Sequence, residues 1–465
     1  MQAVNGSDFK KMVEGGVAAL DLNRAMIDEL NVFPVPDGDT GTNMSLTINS
    51  ALRGLNESSG TKLSELALDF SKGALRGARG NSGVITSQIM KGFAVALGEK
   101  EEMTELEENR KTLFMYMPWA SDLIGNFYTN LSDMEESIAS TGLSGEKVVV
   151  FLSTSPTEAT LFEFTCRNGV CRRETLKEYI DLPFTTAEGI TAILNDVKAA
   201  APAEVYAMVI GCHGMGWLPV RNEKVRSSGG WKTHWEYEGV PKTRYFGGTT
   251  AEYQTEIRDL ADGIAGAGLK MEYILFDDCY MSSIEVAYEL KDVTDYLIGS
   301  TSEIMAYGMP YARIGQYLRG ATDYRAVCDG FYDFYSTYTT PCGTLAVTDC
   351  SELERLAALM KEINSRYAFD TSLRGSLQRL DGYTPVIFYD YGDYVAHLCT
   401  DASLLEAFRE QLSRTVPYKV HTETFYSMKA GEVPIKTFSG ITTSDPSTHA
   451  WTASKTETGW YRATH

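Results

Sequence analysis

Apolar residues recur at three- and four-residue spacing through the first hundred positions, with no strand-like alternation. That spacing lays an apolar stripe along a helix. It predicts four helices within 8–99, carried by FKKMVEGGVAALDLNRAMIDEL, TNMSLTINSALRGL, KLSELALDFSKGALRG and SGVITSQIMKGFAVALG. A charged stretch, GEKEEMTELEENRKT at 98–112, follows and reads as an acidic linker over 100–110 or a solvated helix. From Lys111 the pattern changes. Short apolar runs (TLFMYMPW, KVVVFLST, VYAMVIG, YILFDD, TDYLIGSTSE) alternate with amphipathic segments (ASDLIGNFYTNLSDMEESIAS, TTAEGITAILNDVKAA, TAEYQTEIRDLADGIAGAG, SSIEVAYELKDV). Continuous apolar runs suit strands buried on both faces, and strand–helix alternation suits a parallel sheet. Residues 111–350 are therefore expected to form an α/β core, a mainly parallel sheet flanked by helices. Residues 351–465 add two helical patterns and the strand-like runs TPVIFYD and KVHTETFYSM, an α+β extension of that core. No internal repeat or low-complexity segment is visible.

Composition narrows the classes. The net charge of −20 argues against nonspecific nucleic-acid binding, which needs a positive field, and favours cationic substrates. No apolar run reaches the length of a membrane span. The first residues, MQAVNGSDFKKMVEGG, lack the apolar segment of a signal peptide, which leaves a cytoplasmic chain or one without its export signal. All eight cysteines lie between 166 and 399. Cys166 and Cys171 bracket Arg167-Asn168-Gly169-Val170, and Asn-Gly is a strong two-residue hairpin signal. That turn sets the two cysteines opposite each other, close enough for a disulfide; the alternative is two reduced thiols on a surface hairpin.

Two of the apolar runs end in reactive side chains. VYAMVI leads into Gly211-Cys212-His213-Gly214, and YILF leads into Asp277-Asp278-Cys279. In open α/β sheets ligands bind just beyond the carboxyl ends of the strands. A His and a Cys delivered there by neighbouring strands make a nucleophile and its proton-transfer partner. Cys212 is a rival thiol, but adjacent residues on a strand face opposite ways, which reads Cys212 as core.

HGMGW after one strand, DDCYMSSIEVAYEL after a later one and STSE after the next resemble the clostripain-like cysteine peptidases, of the same clan as caspases and gingipains. The resemblance covers roughly 111–465 and implies a caspase-like fold. It implies Cys279 as nucleophile, His213 as its proton-transfer partner, and the backbone N–H groups of Gly214 and Cys279 as oxyanion donors. It implies cleavage after Arg or Lys, with Asp277 in the specificity pocket. Glu303 is the only acid on the segment where the family carries its second pocket acid, though it falls early, and Asp278 is an alternative to Asp277. Both aspartates can also be read as structural. Relatives mature by cutting themselves between His and Cys, where this chain has RNEKVRSSGGWKTHWEYEGVPKTRYFGG within a 218–248 loop; Lys224, Arg226 and Lys232 are candidate processing residues. The chemistry requires no cofactor. Calcium enters only through the resemblance, since no EF-hand-like loop occurs. The family is usually exported, which implies a secreted, periplasmic or surface-associated bacterial protein, with the cytoplasm as the alternative.

A second resemblance covers 8–99. LNVFPVPDGDTGTNM and RGARGNSGVITSQ resemble the nucleotide-binding domain of dihydroxyacetone kinases in its bacterial fatty-acid-kinase version. It implies Mg²⁺ held by Asp37 and Asp39, with Asn31 a third ligand, and ADP or ATP phosphates met by Thr40, Gly41, Thr42, Asn43, Ser82 and Gly83. Only the first half of the family's helical barrel is present, so an uncovered apolar face and half a site are expected. Three functions stand: a cysteine endopeptidase acting on peptides or proteins, a Mg-nucleotide kinase, and a non-catalytic binding protein with a peptidase fold.

Overall fold

The computed structural model describes residues 5–30, 38–97, 110–167, 169–220, 246–448 and 452–465. It divides into two compact units, Met1–Glu108 and Asn109–His465.

The first unit holds four helices: α1 (Gly6–Glu29), α2 (Thr40–Asn56), α3 (Leu63–Gly77) and α4 (Gly80–Leu97). Asn5 starts α1, its side chain accepting the N–H groups of Ser7 and Asp8 while Asp8 reaches back to the Asn5 N–H. This reciprocal arrangement satisfies donors the first turn leaves free. Phe9 packs edge-on against Phe70 and stacks on Phe93, among Leu55, Leu66 and Ala67. Helices α2 and α3 meet at glycines: a Cβ on Gly73 would lie 2.7 Å from the Ser50 carbonyl oxygen. The expected uncovered face is present. Leu22, Leu30, Ile85, Ile89 and Val95 are each more than 60% exposed.

The second unit is built on a nine-stranded sheet of order β10-β8-β7-β6-β5-β1-β2-β3-β4. The strands are β1 (Lys111–Met117), β2 (Glu146–Ser153), β3 (Glu158–Arg167), β4 (Val170–Ile180), β5 (Val205–Ile210), β6 (Met271–Phe276), β7 (Thr294–Gly299), β8 (Thr344–Asp349) and β10 (Tyr418–His421). The central run β7-β6-β5-β1-β2 is parallel, and the pairs at either edge are antiparallel. Every residue of β1 is buried, as expected of a strand covered by helices on both faces. Strand β10 lies beside β8, so residues beyond 350 complete the sheet rather than form a separate body.

Two elements depart from the sequence expectation. TAEYQTEIRDLADGIAGAG becomes an α-helix only over Ile257–Gly266, preceded by a short 3-10 turn at Ala251–Tyr253 and a bridge between Gly247 and Gln254. TPVIFYD gives only the two-residue strand β9, Tyr389–Asp390. The Asp381 carboxylate collects the N–H groups of Tyr383, Ile387 and Phe388, and Pro385 has none to give, so this stretch has few donors left for a ladder. The hairpin forms with Cys166 opposite Cys171, and both are free thiols. Burial and the Cys166 neighbour push the Cys171 thiol up to about 12. Among the described residues no helix is long and apolar enough to cross a membrane.

Candidate active site

Strands β5 and β6 run parallel with Ile210 opposite Phe276. His213 and Cys279 each lie three residues beyond that pair, so the two side chains predicted to react leave one edge of the sheet from adjacent strands. Asp277 N–H donates to the Ile210 carbonyl at 2.8 Å, carrying the pairing past the last ladder residues. The Asp278 carboxylate then accepts the Cys212 N–H at 2.7 Å. The residue before the candidate nucleophile is thus tied to the residue before the candidate base. Cys212 is fully buried, with its sulfur accepting the Gly247 N–H at 2.9 Å, the core position expected for it.

The loops also meet further out. Gly216 has φ +58 and lies against Phe388 and the Tyr280 carbonyl; a Cβ there would come within 3.0 Å of both. Tyr280, next to Cys279, adopts φ +62, a conformation a bulky side chain rarely takes. Its contacts on every side hold it there. Its N–H donates to the Ser302 carbonyl at 3.1 Å, its hydroxyl donates to Glu303 Oε1 at 2.8 Å, and its ring stacks on Phe388 at 4.8 Å.

His213 Nε2 lies 2.9 Å from Asp122 Oδ1. Asp122 sits in the turn between β1 and helix α5 (Ile124–Thr141), closed by the Leu123 N–H to the Ala120 carbonyl. Three adjacent strands, β1, β5 and β6, therefore deliver Asp122, His213 and Cys279 in spatial order. The sequence reading missed Asp122, because a single acid in a turn carries no periodic or motif signal. The Cys279 sulfur accepts the Ile304 N–H at 3.3 Å. His213 and Cys279 are both fully buried.

The remaining predicted residues are placed as follows. Asp277 is fully buried, Oδ1 accepting the Met309 N–H at 2.8 Å and Oδ2 the Tyr311 hydroxyl at 2.9 Å. Glu303 accepts Tyr280 and Ser427 hydroxyls on Oε1 and the Met428 N–H on Oε2. Gly214 is buried directly after His213. Lys224, Arg226 and Lys232 lie outside the described residues, as do Asn31 and Asp37. In the first unit Asp39 precedes α2, whose first turn is Thr40, Gly41, Thr42 and Asn43. The start of α4 meets it, Ser82 donating to the Thr40 carbonyl at 3.5 Å beside Gly83. Asp28, unforeseen, takes both the N–H and the hydroxyl of Thr42, and these donors hold its carboxyl below the usual range. Among the described residues no group of three or more His, Cys, Asp or Glu is arranged to hold a metal ion.

A buried thiol at a strand end, an imidazole on the next strand and a caspase-like sheet define a cysteine peptidase. The clostripain family model matches residues 116–403, and the chain belongs to that family. A DAK2 domain model matches residues 34–113. The chain is similar to a secreted C11 cysteine protease of Bacteroides thetaiotaomicron, at 64% identity and TM-score 0.72, over 77% of this chain and 100% of that one. It is also similar to an inactive zymogen C11 protease of Parabacteroides distasonis, at 26% identity and TM-score 0.64, over 76% and 98%. Protein YloV of Bacillus subtilis is 43% identical over 107 residues, 23% of this chain and 19% of that protein. An uncharacterized Staphylococcus epidermidis protein is 48% identical over 101 residues, 22% and 18%. The chain spans less than a fifth of the length of these curated relatives.

Proposed function

We propose that the chain is an endopeptidase working through a Cys279–His213 dyad oriented by Asp122, and that it cleaves after Arg or Lys. The observation that carries this reading is the register of β5 and β6, which sends His213 and Cys279 out from the same sheet edge three residues past a paired position. His213, its Nε2 2.9 Å from Asp122 Oδ1, is the group that exchanges protons with substrate. The Cys279 thiol passes its proton to His213, its sulfur attacks the scissile carbonyl carbon, and the backbone N–H groups of Gly214 and Cys279 receive the oxyanion. The intermediate collapses, the C–N bond breaks, and His213 gives its proton to the departing amine. Water, deprotonated by His213, then attacks the thioester and releases the acid and the free thiol. No step needs a metal, so hydrolysis is expected to survive dialysis against chelator, and its loss there, restored by calcium, would contradict this mechanism.

Asp277 is the proposed acid for a basic side chain, alone or with Asp278 and Glu303. Its Oδ1 accepts the Met309 N–H and its Oδ2 the Tyr311 hydroxyl, which fixes the carboxylate in place. Self-cleavage after Arg226, Lys224 or Lys232 is the proposed activation step. It is supported by the complete burial of His213 and Cys279. Export is proposed on the 64% identity to a protein described as secreted.

The test is hydrolysis of a fluorogenic peptide panel varied at the residue before the cut, with Cys279→Ala and Asp277→Asn in parallel. Cleavage after Arg or Lys, lost in Cys279→Ala and stripped of its basic preference in Asp277→Asn, is the expected outcome. Cleavage that persists in Cys279→Ala contradicts the dyad. An unchanged preference in Asp277→Asn contradicts the pocket.

A further inference from the structure

The stretch Gly440–Ser444 lies some way along the chain from both reacting residues, yet it is bonded to the loop that carries each. On the nucleophile side, the Ser282 hydroxyl donates to the Gly440 carbonyl at 2.8 Å, and the Thr442 N–H donates to the Ser282 carbonyl at 3.0 Å. Thr442 and Ser283 form a parallel bridge. Glu285, two residues later, turns Oε2 to the Ser283 hydroxyl at 3.1 Å and Oε1 to the Thr443 hydroxyl at 2.9 Å. On the histidine side, the Trp217 indole N–H donates to the Ser444 hydroxyl at 3.0 Å.

Lys455 locks the centre. Its ammonium donates to Glu285 Oε1 at 2.9 Å, the Thr443 hydroxyl at 2.7 Å and the Ser444 carbonyl at 2.6 Å. An ammonium has three hydrogens, and all three are used. Glu285, Thr443, Ser444 and Lys455 are all buried. An apolar pair of the same volume generally stabilises a core at least as well as a buried ion pair, so stability alone is a poor reason to bury this one. Directional bonds supply what apolar packing does not, a defined spacing. The continuous path here runs from Trp217 through Ser444 and Glu285 to Ser283, and so from the His213 loop to the Cys279 loop. It braces the two loops in addition to their direct ties at Asp278–Cys212 and Gly216–Tyr280.

We propose that Glu285, Lys455, Ser444 and Trp217 are positioning residues that set the distance between His213 and Cys279 through this brace. The proposal rests on the Cys279–His213 reading of the site.

Trp217→Phe removes the indole N–H and keeps an aromatic ring, and Ser444→Ala removes its acceptor. Both variants, and the double variant, are measured on processed enzyme. In each the expected result is a kcat lower by about tenfold, because small misplacements of reacting groups are costly. KM and melting temperature are expected to stay close to wild type. Iodoacetamide alkylation of Cys279 should move to higher pH, since a displaced imidazolium stabilises the thiolate less. The double variant should lose no more than either single one. Lys455→Met should lose more, and Lys455→Arg should recover part of that loss. Wild-type kcat and alkylation profiles in Trp217→Phe and Ser444→Ala would overturn the brace, as would losses that only track melting temperature. Cys279→Ala, assayed alongside, separates the two readings: residual hydrolysis there overturns the dyad and the brace together. An inactive Cys279→Ala beside a fully active Trp217→Phe overturns the brace alone.

Discussion

Asp122 places its Oδ1 against His213 Nε2 at 2.9 Å. Asp122→Asn keeps the shape and removes the charge that holds the imidazole, so kcat is expected to fall about ten- to a hundredfold with the fold unchanged; wild-type kinetics in this variant would remove Asp122 from the site. Asp381 works at one remove, gathering the N–H groups of Tyr383, Ile387 and Phe388 and so placing the Phe388 ring on Tyr280 beside Cys279. Burial pushes its carboxyl up to about 6, with the three donors opposing. The folded chain therefore holds this proton more tightly than the unfolded chain does. Its contribution to stability falls as pH rises from about 4 to about 6, by about 3 kcal/mol in all. Asp381→Asn is expected to flatten that part of the stability curve in denaturant titrations at pH 4, 5, 6 and 7, and an unchanged slope would contradict it. Residues of this kind were not legible in the sequence. His213 and Cys279 were, because each ends an apolar run. Asp122 is a lone acid in a turn, and nothing in the letters around Tyr280 marks a positive φ on a tyrosine.

At the scale of elements, hydrophobic period separated helix from strand in both units, because burial on one stripe or on two faces leaves a direct imprint on residue order. The four helices of 8–99 and the parallel strands β1, β2, β5, β6 and β7 follow from it. The period failed where side chains compete for backbone donors. TPVIFYD reads as a strand, but Asp381 takes its N–H groups first. It was also silent about contacts between distant segments, such as Ser444 with Trp217, since no local pattern records a partner 227 residues away. The meeting at Gly216 of the loops that carry His213 and Cys279 gives a prediction of its own. Gly216→Ala adds a Cβ within 3.0 Å of Phe388 and the Tyr280 carbonyl, at φ +58. It is expected to lower both kcat and melting temperature, read by peptide hydrolysis and calorimetry. A neutral substitution would show that these loops are free to part.

For the whole molecule, the separation into Met1–Glu108 and Asn109–His465 places Asp122, His213 and Cys279 in the second unit. Removing residues 1–108 is expected to leave kcat/KM for the fluorogenic substrate unchanged and to improve solubility, because it removes the exposed Leu22, Leu30, Ile85, Ile89 and Val95. Loss of hydrolysis on that deletion would mean that the first unit takes part in peptidase function. The half-barrel resemblance foresaw this open apolar face and the Asn-Gly signal the β3–β4 hairpin, whereas the sharing of one sheet by residues beyond 350 required the structure. The account as a whole stands on one thiol. The most direct test is to treat the processed enzyme with limiting iodoacetamide, follow residual hydrolysis, and locate the modified cysteine by peptide mass spectrometry. The account predicts that activity falls in proportion to carboxamidomethylation of Cys279, with the other seven cysteines unmodified at the point of full inactivation. Activity that tracks modification of Cys212 or any other thiol, or that survives complete modification of Cys279, would contradict it.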